Sequence, residues 1–448
     1  MLKKHEEKPI HCLIGGGDQI YCDPLAREPE MAGWISNDNE HEKIAAPMTD
    51  EMKLGLDRFF FNHYCAWFRH GAFGRAISHI PMTNILDDHD LIDGFGSYPD
   101  DLQTSPVFSS IGSRGYFWYL LFQLFIVDDV DGTSPAPGAH TNKSMIIGGE
   151  APYIPFPSHS LLCYLGPKVY MLLLDCRAER KKGQICSKLT YERCFDAMRR
   201  LPAGVEHVVL LLGVPIAYPR MTLMENALES KLNPLTILGK SGAFGLGGFV
   251  NKFNKDAELL DDLNDHWCAS THKHERNWFV KECQKLALER HFRITYLSGD
   301  VHCASASKFH STKKTDPAKD PKYMLQVISS AIVNTPPPPA VIKMVSYLGK
   351  KRHKTLHDVN TDETMIELFK EDTDGSKPPS TTVLGRRNYA LIDYLPESGD
   401  LRFDVRMEIK QGGGDTKGCV LAFSFHLACY FADGWTHSYA LSAPPPRW

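Results

Sequence analysis

Three short polar clusters hold the residues best suited to chemistry: Gly17-Asp18-Gln19-Ile20-Tyr21, Asp87-Asp88-His89-Asp90 and Gly299-Asp300-Val301-His302. Each offers hard oxygen or imidazole donors, the ligand types of a two-metal centre. Hydrolysing a phosphoester at neutral pH needs a strong nucleophile and neutralisation of charge on the phosphoryl oxygens. Two metal ions roughly 3.5–4 Å apart supply both. Asp18 suits a bridging position, because it follows three glycines that permit a sharp turn and a close backbone approach. Tyr21 lies three residues on, within reach of the same ion, and a phenolate ligand favours Fe(III) over zinc on grounds of hardness. Asp88 offers a ligand and His89 a proton donor or phosphate contact. Asp90 is expected to fix the imidazole tautomer from outside the ligand shell. Asp300 and His302 are two apart, so in extended chain both face the same side and one metal.

The elements that must position these groups follow from apolar patterning. Each cluster directly follows a strand-like run: Pro9 to Ile14, Ile80 to Leu86, and Arg293 to Leu297. In an open α/β sheet, the loops leaving the carboxyl ends of strands line one edge, where such proteins bind ligands. Glu51 to Arg69 predicts an aromatic-rich helix, and Tyr116 to Val127, interrupted by Gln123, a buried aromatic one. Asp131 to Pro157 reads as a loop. Leu161–Leu165 and Val169–Leu174, joined by Gly166-Pro167-Lys168, predict a tight hairpin. A helix over Leu189–Leu201 and an all-apolar strand over Val205–Leu212 follow, the latter patterned for burial on both faces. Strand, helix, strand succession of this kind implies a parallel or mixed sheet. Met221 to Phe253 is loop-like and glycine-rich. Glu275–Arg290 predicts a helix and Tyr323–Val333 a strand. Residues 349 to 380 are charged, with few large apolar groups, and predict a mobile insertion. Asn388–Tyr394 and Leu401–Ile409 predict a second hairpin, and Val420–Phe425 a last strand.

Composition narrows the class. The 448 residues carry a formal net charge of −4, leaving no global basic field for nucleic acid or anionic lipid. The longest apolar stretch is too short to span a bilayer, and the first residues lack the apolar core of a secretion signal. Twelve cysteines are scattered without a Cys-x-x-Cys, which points to a reducing, cytoplasmic setting. Gly239-Lys240-Ser241 fails as a phosphate loop, because Pro234 occupies the required glycine position. No Gly-x-Ser-x-Gly elbow occurs. His272 and His274 are a possible metal pair or a plain surface segment. Arg177, with Arg180, serves either as a fork for substrate phosphate or as an Arg–Asp structural partner.

Taken together and in order, Gly-Asp-x-x-Tyr, Asp-Asp-His-acidic and Ser298-Gly299-Asp300-x-His302 resemble the PhoD-like phosphatases of the calcineurin-like metallophosphoesterase superfamily. Leu212-Gly213-Val214-Pro215, Asp261-Asp262-Leu263-Asn264-Asp265-His266-Trp267, Glu275-Arg276-Asn277 and Ser329-Ser330-Ala331 extend the resemblance over residues 10 to about 340, most closely to the fungal-type intracellular branch. The resemblance implies a four-layer αββα fold with two mixed sheets. It also implies a dinuclear centre of Fe(III) plus a divalent ion (Ca, Mn, Zn or Fe). Asp18 would bridge, Tyr21, Asp88, Asp300 and His302 would be ligands, and His89 the outer-sphere catalytic histidine. His266 is a further candidate ligand.

One departure stands out. The superfamily places its first ligand on an earlier strand, and only seventeen residues precede Asp18. His11 and Cys12 are poor substitutes, since six extended residues span roughly 20 Å. The first strand and first ligand are therefore expected to be missing. The expected organisation is a phosphatase domain over 1–345, a flexible insertion over 346–380 and a β-rich segment over 381–448 packing on the same domain. The expected activity is hydrolysis of a small-molecule or lipid phosphoester, with neither nucleic acid nor stable membrane insertion involved. The alternative is a catalytically weak binding or regulatory protein on the same fold.

Overall fold

The computed structural model describes residues 1–126, 140, 142–219, 265–330, 332–350, 352–410, 416–419 and 440–448. The chain divides into two compact units. The first comprises Met1–Leu162, Leu173–Ala197 and Thr222–His272; the second comprises Cys163–Leu172, Met198–Met221 and Lys273–Trp448. They interleave along the chain, so neither boundary falls at the predicted positions 345 or 380.

In the first unit, β1 (Leu13–Gly15) pairs in parallel with β2 (Met82–Asn84), with Gly15 opposite Asn84. Only three positions of each apolar run pair, yet parallel pairing sends both carboxyl ends the same way. Between them lie α1 (Asp50–Arg69) and α2 (Gly71–His79). The Thr49 hydroxyl accepts from the Met52 N–H at 3.2 Å and caps α1. Leu56, Phe60 and Tyr64 recur at helical spacing and are fully buried, each contributing about 1.5–3 kcal/mol by leaving water. Helix α3 (Pro106–Tyr119) opens on a proline, whose missing N–H has no intrahelical partner to lose. It continues as a π-helical turn over Leu120–Leu124. The expected helix over Tyr116–Val127 is thus the end of a longer one. Strand β3 (Met145–Glu150) pairs antiparallel with β4 (Pro157–Gly166), within the segment expected to be a loop. Gly148-Gly149 hid this strand from patterning. α4 (Lys188–Arg199) forms where expected.

In the second unit, the end of β4 returns as β5 (Val169–Leu173), the predicted hairpin. β6 (His207–Leu212) and β7 (Arg293–Ser298) are buried at every position and pair in parallel, as their unbroken patterning required. α5 (Lys273–Arg290) precedes β7. β8 (Ala304–Ser311) runs antiparallel to β9 (Met324–Ser329), which is parallel to β7, so the sheet is mixed. β9 ends earlier than expected, and Ile332 and Val333 are exposed.

The insertion expected over 346–380 is corrected. β10 (Thr361–Met365) pairs antiparallel with β8 along five residues, and Leu368 and Phe369 are fully buried. Two buried side chains anchor a segment whose mean composition is polar. β11 (Val383–Leu384) also pairs with β8. β12 (Asn388–Leu395) and β13 (Asp400–Glu408) form the second predicted hairpin, joined on β13 by β14 (Thr416–Cys419) and β15 (Ala440–Ala443). The glycine-rich 221–253 segment, Gly239-Lys240-Ser241 and Val420–Phe425 lie outside the described residues. Among the described residues no helix is long and apolar enough to cross a membrane.

Candidate metal centre

Parallel pairing of β1 and β2 brings the first two clusters side by side. The Ile85 N–H donates to the Gly15 carbonyl at 3.0 Å just beyond the last pair. Gly17 then takes φ +112°, and a Cβ there would fall 2.4 Å from that of Asp87, so glycine is required twice over. Asp18 follows at φ +55°, a region non-glycine residues seldom enter.

Ligand-capable atoms of Asp18, Asp88 and His89 lie within 4.8 Å of one another. Asp18 Oδ2 accepts from the Tyr21 hydroxyl at 3.3 Å, while its Oδ1 is buried without a hydrogen-bond partner. The Tyr21 ring stacks on His89 at 4.2 Å between centroids. Asp88 is buried and accepts from the Gly94 N–H at 2.7 Å.

Asp90 does not orient His89. That task falls to Asp23, whose Oδ2 lies 2.8 Å from His89 Nδ1 and whose Oδ1 accepts from the Asp93 N–H at 3.1 Å. A carboxylate accepts only, so the Nδ1 carries the proton. Asp90 is fully buried and instead accepts at Oδ2 from two backbone groups, the N–H of Asp18 at 2.7 Å and that of Asp87 at 3.0 Å. It therefore pins one loop to the other. Sequence reasoning missed Asp23; its only signal was an acidic residue close behind the Gly-Asp-x-x-Tyr motif.

Crowding of carboxylates perturbs the whole group. Burial, reinforced by Asp88, Asp87 and Asp90, holds the Asp18 carboxyl well above its ordinary range against the pull of His89. Burial raises Asp87 to about 6 and Asp90 to about 7. Burial alone would depress His89, but Asp88, Asp18 and Asp23 outweigh it and keep the imidazole protonated.

Arg177 is not a phosphate fork. It is fully buried, and its Nε donates to Asp87. Its Nη1 donates to Asp265 at 2.7 Å and to the Phe95 carbonyl at 3.2 Å. Its Nη2 donates to Asp265 and lies 3.5 Å from Asp88. All five donors are directed at protein acceptors, so the Arg–Asp structural role is the one it takes.

His266 lies outside the three-residue cluster, and burial pulls its imidazole down to about 4. His272 is buried with Nδ1 3.0 Å from the His266 carbonyl, whereas His274 is exposed. Asp300 and His302 belong to the second unit, beyond the end of β7. The chain there is not extended: Asp300 has φ +71° and His302 φ +48°, so the two-residue strand repeat does not govern them. The His302 N–H donates to Ser330 Oγ at 3.2 Å. Among the described residues six non-glycines have positive φ, and three of them are the predicted ligands Asp18, Asp300 and His302.

The PhoD-related phosphatase profile matches residues 1–234 and 232–428. The chain belongs to that family. The uncharacterized protein YGR266W of Saccharomyces cerevisiae is 38% identical over 438 residues, covering 88% of this chain and 61% of its own length. A solved structure of PhoD shares the fold at a TM-score of 0.50 and 13% identity, covering 90% of this chain and 62% of that one. This member of the PhoD-related family thus spans about three-fifths of the length of both. The mixed α/β fold expected from the sequence is the one it shares with PhoD.

Proposed function

We propose that this chain is a metal-dependent phosphoester hydrolase whose centre is built on Asp18 and Asp88, with Tyr21 and His89 beside them. One observation carries it. In a PhoD-related chain, Asp18 is one of three ligand-type side chains with donor atoms within 4.8 Å of one another, and its Oδ1 is buried without a hydrogen-bond partner. A buried acceptor lacking any donor is costly unless a cation or another donor meets it. The left-handed backbone at Asp18, Asp300 and His302 adds support, because such strain concentrates at functional sites.

The donor set of carboxylates, imidazole and phenol suits Fe(III) with a divalent Ca, Mn, Zn or Fe ion. Bound there, such ions supply a nucleophile at neutral pH and offset phosphoryl charge. The remaining work falls to the chain. His89 Nδ1–H is held by Asp23, which leaves Nε2 to deliver a proton to the departing alkoxide. Asp90 keeps the Asp18 and Asp87–His89 loops in register, and Arg177 with Asp265 locks the second loop from behind. Small-molecule or lipid phosphoesters are the substrate class. The ten free cysteines among the described residues support a reducing, cytoplasmic setting.

The test is turnover of p-nitrophenyl phosphate and its bis ester with iron, manganese or calcium supplied, beside an Asp18→Asn control. Metal-dependent turnover that the control lacks is expected. A folded protein that binds no metal and turns over neither ester refutes the proposal.

A further inference from the structure

The π-helical turn at Leu120–Leu124 buries Leu120 and Leu124, stacks Phe122 on Tyr64 at 4.8 Å between ring centroids, and delivers one polar side chain, Gln123, into the interior. Its Nε2 donates to Asp90 Oδ1 at 3.1 Å and to the Tyr64 hydroxyl at 3.0 Å. Its Oε1 accepts from Gln19 Nε2 at 3.0 Å. Both donors and the carbonyl of the amide are thereby used.

Each partner leads back to the loops that carry the site. Gln19 Nε2 also donates to the Ile85 carbonyl at 2.8 Å, and its Oε1 accepts from the Gly17 N–H at 2.9 Å. Asp90 holds the N–H groups of Asp18 and Asp87 through its other oxygen. Gln123 is thus the point at which the β1 loop, the β2 loop, α1 and the π turn meet. Single π turns inside helices occur frequently at functional sites. The turn closes through the Ile126 N–H on the Leu120 carbonyl at 2.9 Å, with Phe125 forced to φ +59°. A phenylalanine in that conformation is strained, so the arrangement is maintained against a local cost.

We propose that Gln123 is a positioning residue of the metal centre. It holds the Asp90 carboxylate in the orientation that clamps Asp18 against Asp87, and so sets the spacing of Asp18, Asp88 and His89. The proposal rests on the metal-site reading above for its consequence in catalysis, but its structural part stands apart from that reading. Outer-shell partners of this kind alter metal affinity roughly ten- to hundredfold when removed.

The experiment uses the full chain and the variants Gln123→Met, Gln123→Glu and Tyr64→Phe. Methionine keeps the length and loses all three hydrogen bonds. Glutamate keeps the shape and opposes Asp90 with like charge. Phenylalanine at position 64 leaves the Gln123–Asp90 bond intact. Hydrogen exchange at the Asp18 and Asp87 amides is read with the protein alone, manganese affinity by calorimetry, and kcat and KM on p-nitrophenyl phosphate.

Both Gln123 variants are expected to lose at least tenfold protection at those two amides, while β6 and β7 amides keep theirs. Manganese affinity should fall ten- to hundredfold and kcat with it, at nearly constant KM, whereas Tyr64→Phe stays within about threefold of wild type. Unchanged protection in folded Gln123→Met overturns the proposal, as do equal losses in Tyr64→Phe, which would trace them to general loosening. If wild type binds no manganese, the metal-site reading fails, and the exchange data alone still decide whether Gln123 holds the loops.

Discussion

Replacing Arg177 by methionine separates a structural arginine from a substrate-binding one. The guanidinium is fully buried, and Asp87, Asp88 and Asp265 lie around it. Arg180 also approaches Asp265, at 3.0 Å, so that carboxylate keeps one partner when Arg177 is gone. Among the described residues Arg177 is the one cation in contact with Asp87, and burial already raises Asp87 to about 6 with the arginine present. Removing one partner of a buried pair costs about 3–5 kcal/mol, because a charge is left desolvated and uncompensated. That is a large share of the 5–15 kcal/mol by which ordinary proteins are stable.

With a urea dependence of about 3 kcal/mol per molar, the unfolding midpoint of the first unit should fall by about 1–2 M. Hydrogen exchange at amides of α1 and α3, followed against urea, reports that unit separately. Methionine matches the arginine stem, so packing loss is small beside the charge effect. Arg177→Lys should lose less, keeping the charge but not the forked geometry that spans Asp265. A loss below about 1 kcal/mol in Arg177→Met, accompanied by a raised KM for phosphoesters, would refute the structural role.

Gly17→Ala places a Cβ 2.4 Å from that of Asp87 on a backbone at φ +112°, and should abolish manganese binding while leaving β6 and β7 amide protection unchanged. His207, fully buried with Nε2 2.8 Å from the Gly399 carbonyl, is pulled by burial from 6.5 to about 4. Its folded value lies below its unfolded one, so its neutral form stabilises fully above pH 6.5 and that contribution is lost as pH falls toward 4. At about 1.4 kcal/mol per pH unit, wild type should lose about 3 kcal/mol more than His207→Gln over that window, read from urea midpoints at pH 7 and pH 4.

Which features could be read from the sequence follows from the range of the forces involved. α1, α4, α5, β6, β7 and both hairpins were legible, because period, capping residues and turn residues are local. β3 was not, since Gly148 and Gly149 carry no pattern, and β10 was not, since pairing with β8 and the burial of Leu368 and Phe369 outweigh a polar composition. Within the site, Asp18, Asp88 and His89 were legible as donors following strands. Asp23 and Gln123 were not, because their roles arise only where chain segments 66 and 33 residues apart meet. Arg177 was legible as important but not in which way; its burial decides that.

The electrostatics of the first unit give the metal reading its physical basis. Six carboxylates, those of Asp18, Asp23, Asp87, Asp88, Asp90 and Asp265, are interlinked with three cationic groups, Arg177, Arg180 and His89. The cations are unevenly shared. Burial opposes ionisation of Asp265, yet Arg177 and Arg180 hold it far below its ordinary range; burial wins at Asp87 and Asp90, which rise to about 6 and 7. The carboxyls short of a cation, which burial drives toward their protonated forms, therefore lie on the Asp18–Asp90 side, where Asp18 Oδ1 has no donor, and not on the Asp265 side. A structural ion-pair network has no reason to be compensated at one end and left wanting at the other. A site that takes up a multivalent cation does: the arginines fix the loops from behind, and the carboxyls they leave short of a cation lie beside the ligand atoms, where a metal would displace their protons. On this basis manganese or iron should raise the stability of the first unit in proportion to RT ln(1 + [metal]/Kd), about 2.7 kcal/mol at a hundredfold excess over Kd. Asp18→Asn should erase that gain without lowering the metal-free stability, since burial already disfavours the charged carboxylate and its Oδ1 has no donor to lose. A variant destabilised in the absence of metal would mean that Asp18 is an ion-pair residue instead.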